Sequence, residues 1–255
     1  MSTDLVKIAT DDAPLALFTT GNEDIAEVME ANLAGAEIEL HSLPQAITPS
    51  GGGTQFKIED GGTGDRKDEV IGVPLGWFPD GRLWGSEEMS DGQPVLVTHD
   101  LKTAYMVSDD IGDLDEATLE AAVLPDQGDG RRWYDWTKLA YCQWGSGKNG
   151  GKRAKEYRLV PILEEGALLP TVVRVSAASL KDVDRFRMNA FGLKPYYRCL
   201  VKASLVEVPK SGSTPAYSKV VFAKMPGELT KEQGLALKEM YMNPLAEKRA
   251  RDILD

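Results

Sequence analysis

Residues 157–177 read YRLVPILEEGALLPTVVRVSA, two β-branched runs, YRLVPIL and TVVRVSA, separated by a Glu-Glu-Gly turn and a proline. Short apolar, β-branched runs bounded by turn residues predict strands, and two in succession predict a pair. The period then changes. In SLKDVDRFRMNAF (179–191), Leu180, Val183 and Phe186 fall on one side and Lys181, Asp184, Arg185 and Arg187 largely on the other, so a helix is expected, capped by Ser179. Beyond it YYRCLVKASLVEV and AYSKVVFAKM alternate and are joined by PKSGSTP, the pattern of a hairpin. Thr230 and Gln233 match a capping box for a last helix, which Pro244 is expected to break.

Upstream, VIGVPLGWF, PDGRLWGS, QPVLVTHD and TAYMVS are short strand-like runs, and Pro79-Asp80-Gly81 predicts a turn that exposes its flanks. QAIT and TQFKI are further strand candidates, AEIELHSL alternates like a strand, and GGTGDRKDE reads as a mobile loop. NEDIAEVMEANLAG, from Asn22, has a cap, an apolar stripe and a closing glycine, which predict one short helix. Residues 108–130 form an acidic insertion in which Asp115 caps a helix carrying Leu119 and Val123 up to Pro125. The expected organisation is a single domain: a helical extension (1–35), a core (36–227) with that insertion and a basic loop (145–155), and a C-terminal helix (228–255). The expected fold is mostly β with a few helices. A five-stranded OB-like barrel with insertions and peripheral helices fits, and a sandwich fits nearly as well.

With 255 residues the chain is long enough for a substantial core, and no run of 18 apolar residues could span a bilayer. MSTDLVKIATDD has neither a basic start nor an apolar centre, so a cytoplasmic protein is expected, with no membrane partner. Cys142 and Cys199 with His41 and His99 lack zinc-site spacing; reduced thiols are expected, and no metal or cofactor. The net charge of -11 hides a split. Met1 to Gly130 holds 6 Lys+Arg and 27 Asp+Glu, a net of -21, which leaves 23 cations and 13 anions, a net of +10, for the remainder. Such asymmetry points to contact with nucleic acid or another anionic surface, with the acidic part either solubilising the chain or competing for its basic face.

The basic stretch centres on YCQWGSGKNGGKRAKEYR, Tyr141 through Arg158. A nucleotide cradle requires Gly, four residues, Gly, Lys, then Ser or Thr, so that amides surround a phosphate and the hydroxyl reaches magnesium. That spacing is not met. For Lys152 the first glycine is replaced by Ser146 and the hydroxyl by Arg153; for Lys148 the replacements are Cys142 and Asn149. A single strand asks only for cations along a track and rings on which bases stack, each worth about 1–3 kcal/mol. Arg131, Arg132, Lys138, Lys148, Lys152, Arg153, Lys155 and Arg158 stand among Trp133, Tyr134, Trp136, Tyr141 and Trp144, and the glycines would let the loop close over a strand. Three tryptophans within twelve residues also suit a packed strand pair, so about half of these five aromatics are expected to be buried. Trp77 and Trp84 are ambiguous in the same way.

Taken in order, the features resemble a family of phage and mobile-element replication proteins that bind single-stranded DNA through an OB-type barrel. The residues carrying the resemblance are Val70-Ile71-Gly72-Val73 followed by an aromatic hairpin, GSGKNGGKRAKEYRLVPIL, Leu169-Pro170, Ser179-Leu180-Lys181 opening the helix, and the hairpin from Tyr197 to Phe222. The resemblance covers roughly Glu37 to Leu235. Some members carry cysteines around the glycine-lysine segment in a metal-like pattern; only Cys142 is kept here, so no zinc is carried over. The resemblance implies a barrel, a single-stranded DNA ligand, a role in replication, recombination or repair in a phage host's cytoplasm, and replication or recombination proteins as partners. Together with the residues it points to a non-enzymatic binder of little sequence preference. Phosphates would meet Lys148, Lys152, Arg153, Lys155 and Arg158, with Arg131 and Arg132 nearby; bases would stack on Trp133, Trp136 and Trp144 with Tyr141, and on Trp77 and Trp84. Adjacent acid pairs such as Asp109-Asp110 share no face, and no Ser-His-Asp pattern stands out, so catalysis is not expected. The alternatives are an assembly protein whose basic part docks on an acidic partner, or a metal-dependent nuclease built from scattered acids. Oligomeric state is not set by the sequence.

Overall fold

The computed structural model describes residues 39–247, apart from 50, 61–63, 88–92, 149 and 213–214. The helix expected from Asn22 lies outside the described residues. Strands dominate and helices are few, as the alternating runs predict. The described residues divide into two compact units: 39–77 together with 159–247, and an inserted segment, Phe78–Arg158.

The first unit contains β1 (Gln45–Ile47), β2 (Phe56–Glu59), β3 (Arg66–Lys67) and β4 (Glu69–Pro74), then β9 (Lys155–Glu164) from Leu159 on, β10 (Thr171–Ser176), β11 (Cys199–Val208) and β12 (Tyr217–Glu228). Hydrogen-bonded neighbours run β3-β2-β1-β10-β9, β4 lies between β9 and β11, and β12 flanks β11. The sheet is mixed: β1 is parallel to β10, while β4 is antiparallel to both β9 and β11. Period-two burial explains the strands. In β2, Phe56 and Ile58 are buried and Lys57 and Glu59 exposed; in β11, Cys199, Val201, Ala203 and Leu205 face inward. Leu159, Val160, Ile162 and Leu163 of β9 are all buried, as befits a strand covered on both faces. The stretch expected to be a mobile loop instead contributes β3, because Arg66 and Lys67 pair with Lys57 and Phe56. AEIELHSL is not a strand where it is described: residues 40–43 form a turn closed by Ser42 N–H on the Glu39 carbonyl (3.0 Å), with Leu40 and Leu43 buried from opposite ends of it.

Helix α2 (Ala177–Asn189) packs on β10 and β12. Its N-cap is Ser176, not Ser179. Ser179 is fully buried inside the helix, where its Oγ accepts the backbone N–H of Val220 in β12 at 2.8 Å, tying helix to strand. Helix α3 (Lys231–Leu237) starts on the expected capping box, Thr230 with Gln233. Pro244 does not stop it. Lys238–Met242 forms a π-turn ahead of the proline, and helical structure continues to residue 247; the wider turn accommodates a ring that lacks an N–H.

The inserted unit contains a meander, β5 (Phe78–Leu83), β6 (Leu96–Thr98), β7 (Thr103–Met106) and β8 (Trp133–Asp135), each strand antiparallel to the next. The turn expected at Pro79-Asp80-Gly81 is absent; β5 runs straight through it. Asp80 is completely buried, 3.2 Å from Arg82 Nε and 3.5 Å from His99 Nδ1, so the acid serves the interior. Helix α1 (Glu116–Glu120) is capped by Asp115 as expected and buries Leu119, while Val123 lies outside it and bridges Tyr134. Leu83, Leu96, Ala104, Leu114, Leu119, Tyr134, Trp136, Leu139 and Cys142 share one apolar core.

Candidate nucleic-acid interface

Two 3-10 turns, Trp136–Lys138 and Ala140–Cys142, lead from β8 into the basic loop. Asp135 starts the first by accepting the Thr137 N–H and hydroxyl at 3.1 and 2.6 Å. Ser146 closes the loop: its Oγ lies 2.8 and 2.7 Å from the Tyr141 and Gln143 carbonyls and accepts the Arg153 N–H at 3.0 Å. The Gly147 N–H donates to Gly151 O at 2.9 Å, and Gly145 N–H reaches the carbonyls of Gly150 and Gly151. Gly145 and Gly150 take φ of 89° and 72°, open to glycine at no steric cost. The mobile loop expected from the glycines is therefore a closed, internally bonded hairpin. Glycine is used here for turn geometry rather than for freedom.

The rings separate sharply. Trp133, Trp136 and Trp84 are buried in the inserted unit and Trp77 in the other; Tyr134 is buried as well, and Tyr141 is half-buried. Trp133 Nε1 donates to both carboxylate oxygens of Asp129 at 3.0 Å, and its ring lies 5.5 Å from that of Tyr105. Burial pushes the Asp129 carboxyl up, but the donated Trp133 and Arg131 N–H groups outweigh it and the net direction is down. Indoles sealed in this way have no face to offer a base. Trp144 does: 76% exposed at the head of the loop, it is the single tryptophan among the large exposed apolar residues described. Three buried rings out of Trp133, Tyr134, Trp136, Tyr141 and Trp144 agree with the sequence expectation of about half.

The cations separate too. Arg153 is an anchor: its side chain is 11% exposed, pairs with Asp113, donates to the Gly85 carbonyl at 2.8 Å and lies 5.3 Å over the Tyr141 ring. Tyr141 OH in turn accepts the Asp115 N–H at 2.6 Å. Arg132 pairs with Glu120, Lys138 with Asp135 (2.9 Å) and Lys152 with Glu156 (2.9 Å). The Arg131 guanidinium sits 4.8 Å over Tyr105. Arg158 is half-buried. Lys148 and Lys155 are exposed, with Lys155 Nζ reaching the Lys152 carbonyl at 2.9 Å. The loop thus gathers Trp144, Lys148, Lys152 and Lys155 around one hairpin, held from beneath by Arg153 and Tyr141.

Sequence reasoning missed Asp113, the acid that holds Arg153, and Glu87, whose carboxylate accepts the Lys148 N–H at 3.1 and 2.9 Å. Both are tens of residues from their partners, and no local spacing signals such pairings. Among the described residues no helix is long and apolar enough to cross a membrane. Compared with protein-family models, with curated proteins and with solved structures, the chain matches none.

Proposed function

We propose that this chain binds single-stranded DNA without marked sequence preference, through the hairpin of residues 141–155, as a non-enzymatic accessory of phage-type replication, recombination or repair. The observation that carries the reading is Trp144: a fully presented indole at the head of a lysine-bearing loop gives a base a π-face beside cations for its phosphates. Leaving such a ring in water has a hydrophobic cost that a stacking partner would relieve.

We further propose that the first unit is an OB-type barrel. Its pairing supports this: β4 with β9, β9 with β10, β4 with β11 and β11 with β12, with a helix between the third and fourth of these strands that rests on β10 and β12. On this reading the inserted unit occupies the connection between the first two barrel strands, one of the loops through which such barrels take oligonucleotides. The basic hairpin belongs to that connection. The roles in replication and phage biology rest on the sequence resemblance.

Titration of fluorescence-labelled oligo(dT) at several salt concentrations tests the reading, with intrinsic tryptophan emission followed in parallel. Binding is expected to quench Trp144, and Trp144→Ala to weaken affinity about tenfold, since one stacked base is worth roughly 1–3 kcal/mol. Lys148→Ala with Lys155→Ala should weaken binding and lower the salt slope while leaving the melting temperature in place. Tryptophan emission unmoved by oligo(dT) at low salt would overturn the assignment and favour a protein-docking role for the basic segment.

A further inference from the structure

Glu87 turns both carboxylate oxygens toward a backbone N–H, that of Lys148, at the tip of the most basic stretch of the chain. The approach depends on the residue before. An ideal Cβ built on Gly147 would stand 2.9 Å from Glu87 Oε1, closer than a side chain tolerates, so glycine leaves the space that the carboxylate fills. Several neighbouring amides of the hairpin donate within it: Gly145 and Gly147 to the Gly151 carbonyl, Gly150 to Gly147, Arg153 to Ser146 Oγ. The Lys148 N–H instead points out to an anion, and that anion belongs to the protein.

A carboxylate and a phosphate ask the same of such a seat: a donated N–H, room for two oxygens and nearby positive charge. Lys148 and Lys155 are exposed on the same hairpin, and Lys152 stands between them. Exchange of one anion for the other leaves the amide satisfied throughout, so opening the seat orphans no donor, and the released carboxylate regains water. We propose that the Gly147–Lys148 backbone is a phosphate subsite and that Glu87 is its resident occupant until a phosphate displaces it. The inference rests on the single-strand reading above and names one contact of that interface: a backbone phosphate seated on Lys148 N, flanked by the base on Trp144.

The test uses the full chain, 15N-labelled, as wild type, Glu87→Gln and Glu87→Ala, with inorganic phosphate and then oligo(dT) as probes. In both variants phosphate is expected to shift the Lys148 amide resonance at concentrations roughly fivefold lower than in the wild type, the size of effect expected from removing one like charge at contact distance in a water-like dielectric. Oligo(dT) should bind the variants roughly fivefold more tightly at low salt, with a similar salt slope, since the same phosphate is seated in each complex. If the Lys148 amide ignores phosphate in both variants, or if they bind oligo(dT) no better than a wild type that does bind, the subsite is refuted while the function stands. If phosphate moves that amide but no form binds oligo(dT), the single-strand reading fails and the anion seat remains.

Discussion

Arg153 and Lys155, two residues apart in sequence, have opposite roles. Lys155 is exposed, its Nζ resting on the Lys152 carbonyl, whereas Arg153 is enclosed by Asp113, the Gly85 carbonyl and the Tyr141 ring. Arg153→Ala should therefore act on the fold first. It removes a charge-assisted hydrogen bond to the Gly85 carbonyl, which keeps the Asp113 N–H at 2.9 Å, and leaves the Asp113 carboxylate without its cation, so a loss of about 2 kcal/mol in urea unfolding is expected; an unchanged midpoint would show that the guanidinium is dispensable to the hairpin. Cys142, beneath the same loop, is the opposite of a reactive thiol. Burial pushes its thiol up to about 12, with the Glu156 carboxylate adding to the shift and Lys152 opposing it. At pH 8 a disulfide reagent should label it on the order of a thousandfold more slowly than an ordinary cysteine, and normally once urea unfolds the chain. Rapid labelling of Cys142 in the native protein would mean that the loop opens far more than its hydrogen bonds suggest.

At the level of elements, the strands that were legible in the sequence are those whose period is undisturbed. β2, β9, β10, β11 and the first half of β12 follow from alternation or from continuous β-branched runs, because at least one face is buried there. Pro79-Asp80-Gly81 misled because turn residues signal a turn only where the backbone is free to leave the sheet, and here β6 pairs with Gly81 to Leu83. The turn from β6 to β7 is the converse. It holds no glycine, yet Leu101 takes a φ of 59°, and side chains build it: Asp100 accepts the Lys102 and Thr103 N–H groups at 2.7 and 2.8 Å and the Thr103 hydroxyl at 3.1 Å. Burial pushes the Asp100 carboxyl up, but the Thr103 and Lys102 N–H groups and the two threonine hydroxyls outweigh it, and its net shift is downward. A carboxylate depressed in the folded state stabilises fully above its unfolded value near 3.9, and that contribution is lost as pH falls through the lower folded value. Asp100→Ala should cost about 2 kcal/mol at pH 6, and the gap to wild type should narrow as pH falls below the unfolded value near 3.9; a constant gap would assign the loss to packing instead. β4 depends on Gly72 in another way. A Cβ there would sit 2.0 Å from the Leu163 carbonyl oxygen, so Gly72→Ala must part β4 from β9, at an expected cost of about 3 kcal/mol or more by thermal denaturation.

Over the whole molecule the charge split, legible in the sequence, takes on a different meaning. The boundary at Gly130 is not a boundary of the fold: the inserted unit Phe78–Arg158 holds 10 Lys+Arg and 15 Asp+Glu, a net of -5, and so carries acids and cations together. Asp113 and Glu120 of the acidic insertion pair with Arg153 and Arg132 of the basic segment, a folding of charge onto charge that a count along the chain cannot register. Long-range attraction therefore cannot draw a polyanion to this protein. With a net charge of -11, the field seen from a distance is repulsive, and only within a Debye length do the hairpin's own lysines dominate. Two regimes of salt dependence follow. Above about 0.1 M, where screening confines interactions to roughly 10 Å, log affinity for oligo(dT) should fall against log salt with a slope near -2, as for ~3 phosphates on a single strand, one for each of Lys148, Lys152 and Lys155. Near 0.01 M, where the screening length grows to roughly 30 Å and the strand feels the whole molecule, the line should bend toward zero slope or turn over. A uniformly basic binder gives one straight line throughout. A slope that stays near -2 down to the lowest salt would mean that the acidic residues lie outside the field the strand experiences, and that they solubilise rather than compete.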